Sequence, residues 1–174
     1  MKIYLDACCI NRPYDDQTQD RIRLESEAIL MIINHCQSHQ WVWIGSDALT
    51  FEIQQIPNVE KQKRVQLLAS YVSQSIQVGA SEIQRSQELQ ALGFHTIDSL
   101  HLACAESGNA NVFLTTDDPL LKRALKVSNQ LKIRVVSSEV PGCEFGLFFP
   151  VLPTGVGSLK LFTFIRVHGR SPDF

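Results

Sequence analysis

Apolar spacing along this chain switches repeatedly between strand-like runs and helical stripes, and the order of those switches predicts the fold. Lys2–Leu5 is a short β-type run that closes on Asp6. The polar stretch 11–20, broken by Pro13, reads as a loop. From Arg21 the spacing is helical, with Ile22, Ala28, Ile29, Ile32, Ile33 and Cys36 on one stripe. Trp41–Gly45 reads as a buried strand. Ser46 suits the cap of a helix that carries Asp47, Leu49, Glu52, Ile53 and Ile56, and Pro57 stops it. A further helix is predicted over about 59–73, on Val65, Leu68, Ala69 and Val72, and Ile76–Val78 reads as a short strand or a connection.

Residues 80–92 read as a helix that ends at Gly93. Thr96 suits the cap of the next helix, which carries Asp98, Leu100, His101, Cys104 and Ala105 and ends near Gly108. Val112–Leu114 is a strand leading into Thr115, Thr116 and Asp117. Asp118 and Pro119 suit the cap and first turn of a helix over LLKRALKV. Ile133–Val136 is the last clear strand. This alternation predicts a three-layer α/β fold with a central, mostly parallel sheet flanked by helices.

The pattern stops near Ser138, so the chain divides into a body, 1–138, and an atypical tail, 139–174. The tail holds six of the nine Phe, five of the nine Gly and four of the seven Pro, with no helical or alternating period. LKLFTFIRV at 159–167 suits one extra strand. Two readings of the tail stand side by side: an extension that packs on the body or a partner, and the product of a shifted reading frame.

Composition narrows the class. At 174 residues and 44% apolar content the chain is long enough for one full core, and disorder throughout is excluded. The net charge of −2 excludes nucleic-acid binding by bulk charge, which leaves local contacts. Five cysteines without paired spacing make neither a zinc ribbon nor a disulfide framework, and Cys8, Cys36 and Cys104 read as small core residues in a reducing compartment. No signal peptide and no span of about 20 apolar residues is visible, so a cytoplasmic location is expected.

Four acids fall at the carboxyl ends of the expected strands, or one helical turn beyond: Asp6, Glu52, Asp98 and Asp117. Ligands in parallel α/β sheets bind there. Carboxylates crowded into a cleft repel one another, and a divalent cation relieves that repulsion. Hard oxygen donors point to Mg²⁺ or Mn²⁺, either of which can activate water and stabilise charge on a phosphate. No phosphate-cradling glycine loop, nucleophile elbow or phosphatase loop competes with this site.

IYLDACCINRP, Glu52, HTIDSLHLACAE and FLTTDDPLLKRA, taken in that order, resemble a PIN domain over about residues 1–138. The resemblance implies a carboxylate-lined cleft and a Mg²⁺- or Mn²⁺-dependent endoribonuclease. It also implies a VapC-like toxin with a cognate antitoxin, and a homodimer. By the same resemblance Asp6, Glu52, Asp98 and Asp117 are the metal ligands and catalytic acids; Asp118, ahead of Pro119, suits the structural cap. The alternative is a PIN-like scaffold, without catalysis, that binds RNA or protein. A flap-type DNA nuclease fits less well, for want of DNA-clamping helices.

Around the acids, Asn11 and Arg12 overlook the proposed cleft and are candidate substrate contacts, Arg12 as a phosphate grip. Thr116, ahead of Thr115, is the candidate hydroxyl that holds a carboxylate or a water. His101 reads first as a satisfied helical histidine and second as a hydrogen-bond partner of Asp98. Arg21 with Glu25 and Arg23 with Glu27 read as i,i+4 pairs on a solvated face. Lys61, Lys63, Arg64, Lys122 and Arg123 read as surface cations and secondarily as RNA contacts. Of Trp41 and Trp43, at least one belongs to the core.

Overall fold

The first apolar run becomes the middle of the sheet. In the computed structural model, which describes residues 1–137, β1 (Lys2–Leu5) lies between β2 (Val42–Ser46) and β4 (Val112–Thr115). β3 (Gln74–Ile76) extends the sheet beyond β2, and β5 (Arg134–Ser137) extends it beyond β4. The order is β3-β2-β1-β4-β5 and all four pairings are parallel. The three-layer α/β expectation holds, with seven α-helices among the described residues.

Alternation along the strands sorts side chains into two cores. Ile3, Leu5, Trp43, Val112 and Leu114 pack on one face with Ile29 and Ile33 of α2 (Asp20–Gln37), Leu49 and Ile53 of α3 (Asp47–Gln54) and Val65 of α4 (Val59–Ala69). Tyr4, Ile44 and Phe113 pack on the other. There they meet Leu89 of α5 (Ala80–Ala91), Leu102 of α6 (Thr96–Ser107), and Leu120 and Ala124 of α7 (Asp118–Lys126). The two tryptophans divide as expected, with Trp43 fully buried and Trp41 half-buried and stacked on His35.

The elements that carry the site are pinned from behind. Gly93 turns the chain from α5 to α6 at φ +92°, a conformation that side-chain-bearing residues rarely adopt. The Ser86 and Ser99 hydroxyls share a hydrogen bond of 2.8 Å, and Arg85 Nε donates to Glu106 at 2.7 Å. At the end of α6, a Cβ on Gly108 would stand 2.8 Å from Ile44 Cγ2, so the helix lies close against β2.

Several boundaries differ from the sequence reading. Residues Ala7–Asn11 form a short helix, α1, directly after β1, and Arg12–Tyr14 coil into a 3-10 turn where a loop was expected. Asp6 starts α1 as its cap, because its Oδ1 accepts from the Ala7 N–H at 2.8 Å. α4 ends at Ala69 rather than near 73, and β5 begins at Arg134 rather than Ile133. Thr96 is the first residue of α6, with His95 in the cap position and no side-chain capping bond. Cys9, Cys36 and Cys104 are buried thiols, but Cys8 is only half-buried. The tail, 139–174, and the strand expected at 159–167 lie outside the described residues.

One expected surface pair is not on the surface. Glu25 is fully buried, and its carboxylate pairs with Arg12 Nε and with Arg21 Nε at 2.9 Å. Arg21 also grips Asp118 with both terminal nitrogens, at 3.0 and 2.8 Å. Arg12 Nη1 reaches Asp15 at 3.2 Å, and Lys61 closes on the same Asp15 at 2.8 Å. Arg23 with Glu27 stays exposed, as expected. Removing one partner of a buried pair costs about 3–5 kcal/mol, and here Arg21 still holds one oxygen of Glu25. Arg12→Met is therefore expected to lower stability by about 2–3 kcal/mol. Lys61→Met, which breaks a more accessible pair, is expected to cost less than about 1 kcal/mol. Urea unfolding of the two variants checks the order, and equal losses would contradict a structural role for Glu25.

Candidate functional site

The chain runs outward from β1 to β2 and β3, then crosses back to place β4 on the other side of β1. That reversal opens a crevice at the carboxyl ends of β1 and β4, where parallel sheets bind ligands. Asp6 ends β1 there and is 6% exposed. Its Oδ2 accepts from Thr115 Oγ1 at 2.8 Å and from the Cys8 thiol at 3.1 Å. Thr115 also accepts from the Asp117 N–H at 3.0 Å, so one hydroxyl joins the ends of both strands. The hydroxyl that holds a carboxylate is thus Thr115. Thr116 Oγ1 is buried without a hydrogen-bond partner.

Glu52 comes from α3 and His101 from α6. His101 is fully buried, and its Nε2 lies 2.7 Å from Glu52 Oε2. Its Nδ1 lies 2.7 Å from the Tyr4 hydroxyl, which is itself 2.6 Å from Ser46 Oγ. Ser46 caps α3 as expected, accepting from the Leu49 N–H at 3.1 Å. Burial keeps the Tyr4 hydroxyl protonated by pushing its pKa well up. The histidine therefore hydrogen-bonds Glu52 and Tyr4, not Asp98. One donor atom each from Asp6, Glu52 and His101 lies within 4.8 Å of the others. The all-oxygen donor set expected from sequence gains a nitrogen.

Asp98 and Asp117 stand beside this group rather than in it. Asp98 is half-buried in the first turn of α6. Burial, and then the charges of Asp6 and Asp117, push its carboxyl up to about 6. Asp117 is exposed and caps α7, accepting from the Leu120 N–H at 2.8 Å. The cap expected at Asp118 is therefore Asp117, and Asp118 is the partner of Arg21. Among the described residues, no lysine or arginine pairs with Asp6, Glu52, Asp98 or Asp117.

The three candidate substrate contacts differ. Asn11 Nδ2 donates to the Ala7 carbonyl at 2.9 Å, while its Oδ1 is buried without a partner. Arg12 is committed to Glu25 and Asp15, which leaves Nη2 as its unengaged nitrogen. Of the cations first read as surface or RNA contacts, Lys61 and Arg64 pair with Asp15 and Glu60. Sequence reasoning missed Tyr4 and Ser46 behind His101. The signal was present: a tyrosine between two aliphatic residues of a central strand buries a hydroxyl that must find a partner.

The donor set fits a divalent ion. Two ligands about 2.1 Å from one ion stand at most about 4.2 Å apart, so the 4.8 Å group needs only a slight closure. Neither a family model nor a curated protein sequence matches this chain. Among solved structures, the chain is similar to one in the crystal structure of VapBC2 from Rickettsia felis bound to a DNA fragment from their promoter. The TM-score is 0.50 at 13% identity, covering 79% of this chain and 98% of that one. The likeness is one of fold.

Asp98 makes the metal-free site sensitive to pH. Its folded pKa lies above the ordinary value of 3.8, so the folded protein binds a proton through that window which the unfolded chain has released. The penalty of holding Asp98 in place is therefore absent below pH 3.8 and complete above about pH 6. In EDTA, Asp98→Asn is expected to be more stable than the parent at pH 7, and the gap is expected to shrink toward pH 4. Thermal melts across that range check this, and a gap independent of pH would contradict it.

Proposed function

We propose that this chain is a metal-dependent endoribonuclease, a PIN-type nuclease that acts as a VapC-like toxin. The observation that carries the reading is the meeting of Asp6, Glu52 and His101 at the crevice between β1 and β4. The raised Asp98 carboxyl and the lack of a paired lysine or arginine among the described residues support it. So does a fold shared with a chain of the VapBC2 structure.

Asp6, Glu52, Asp98 and Asp117 would hold Mg²⁺ or Mn²⁺. When bound, the ion supplies water activation and neutralises charge gathering on the phosphate. Thr115 fixes the Asp6 carboxylate by its hydrogen bond, so the donor is oriented before any ion arrives. Asn11, Thr116 and Arg12, the last through Nη2, are the residues proposed to line the path of the RNA backbone. Water attacks phosphorus in line with the 3′ oxygen, which leaves a 3′-hydroxyl and a 5′-phosphate. In the cytoplasm, the partners of this reading are RNA, a second copy of the chain, and an antitoxin that covers the acidic crevice.

Purified protein is expected to cleave RNA with Mn²⁺ and to stop when EDTA is added. Asp6→Asn, purified identically, is expected to lose at least about 100-fold, since it removes a charge-stabilising ligand from the reacting centre. Cleavage that survives both EDTA and the substitution would overturn the reading.

A further inference from the structure

The buried chain Ser46–Tyr4–His101 can be polarised in two directions, and only one leaves a lone pair on the Nε2 that faces Glu52. In the first, Ser46 donates to Tyr4, Tyr4 donates to Nδ1 of His101, and the Nε2–H donates to Glu52. In the second, the Nδ1–H donates to Tyr4 and the Tyr4 hydroxyl donates to Ser46, which leaves Nε2 and Glu52 facing each other as two acceptors that a shared cation would satisfy. Ser46 Oγ accepts from the Leu49 N–H in both. The proton count is the same, because the proton lost at Nε2 is matched by one gained at Nδ1.

We propose that the metal centre is a mixed nitrogen–oxygen site, in which His101 ligates through Nε2 beside Asp6 and Glu52 while Ser46 and Tyr4 hold the tautomer that allows it. This rests on the nuclease reading and adds the ion preference of the same site. Three observations carry it. His101 belongs to the donor group within 4.8 Å, and its buried Nε2 faces Glu52 at 2.7 Å. The opposite ring nitrogen is held by a hydroxyl, as ligating histidines usually are. A tyrosine stands in β1, stacked on Phe113 with centroids 5.3 Å apart, where phenylalanine would make the same stack but leave His101 Nδ1 without its hydroxyl partner. A nitrogen donor shifts preference from Mg²⁺ toward the first-row transition ions.

The test is Mn²⁺ bound to the full chain, read by electron spin-echo envelope modulation and by equilibrium affinity. Wild type is expected to show nitrogen-14 modulation from a ligating imidazole. His101→Gln is expected to lose it, together with about tenfold in Mn²⁺-over-Mg²⁺ preference. Tyr4→Phe, which keeps the ring and removes only the hydroxyl, is expected to weaken Mn²⁺ binding about tenfold. His95→Gln, which alters the histidine whose charge also reaches Asp98, is expected to keep the modulation. Mn²⁺ bound without imidazole modulation, or modulation lost in His95→Gln instead, overturns the assignment of His101 and leaves the nuclease reading standing. No Mn²⁺ binding by wild type overturns both.

Discussion

Four acids gathered at one end of a parallel sheet, with no lysine or arginine paired to any of them among the described residues, impose the constraint that organises this molecule. The repulsion is visible at Asp98, whose carboxyl is pushed up to about 6 by burial and by Asp6 and Asp117. Uncharged donors hold two of the others, Thr115 and the Ala7 N–H on Asp6 and the Leu120 N–H on Asp117, while His101 Nε2 lies 2.7 Å from Glu52. Such donors orient a carboxylate without supplying a full positive charge. Arg12 and Arg21 are spent on Glu25, Asp15 and Asp118. The four strand-end acids are thus left without a paired lysine or arginine among the described residues, an arrangement suited to an ion that arrives from outside.

The architecture serves that separation. β1 is the central strand, so Asp6 at its end is reached from both sides: by Thr115 at the end of β4, and by Glu52 on the helix after β2. α6 delivers Asp98 and His101 from one element, three residues apart and therefore on one face. Gly93 and Gly108 fix where that helix starts and how close it lies to β2. A shift of α6 would move both side chains, which ties the packing of the second core directly to the geometry of the crevice.

Much of this was legible in the sequence. Alternating apolar runs and helical stripes identify the sheet and most of the helices, because buried parallel strands and one-sided helices leave distinct periods. Asp6, Glu52, Asp98 and Asp117 fall where strand ends converge; the structure groups Asp6 and Glu52 with His101, and Asp98 stands close enough to Asp6 and Asp117 to feel their charge. What was not legible depends on contacts between distant residues. Glu25 looks like half of a surface pair until the 3-10 turn swings Arg12 onto it. Asp117 and Asp118 both suit a cap by type, and Arg21 decides between them by taking Asp118. His101 looks like any helical histidine until Tyr4, 97 residues away in sequence, is placed against its Nδ1. The tail, 139–174, carries no period from which structure could be argued.

The central claim is that the acid crevice is built to be completed by a divalent ion, and the most direct measurement is the melting temperature of metal-stripped protein titrated with Mn²⁺ at pH 7. An ion that binds only the folded state at 100 times its Kd adds about 2.7 kcal/mol, or roughly 5–10 °C for a chain of this size. A rise of that order that saturates with Mn²⁺ and is lost in Asp6→Asn is expected. A melting temperature indifferent to Mn²⁺, or one that rises equally in Asp6→Asn, would contradict it.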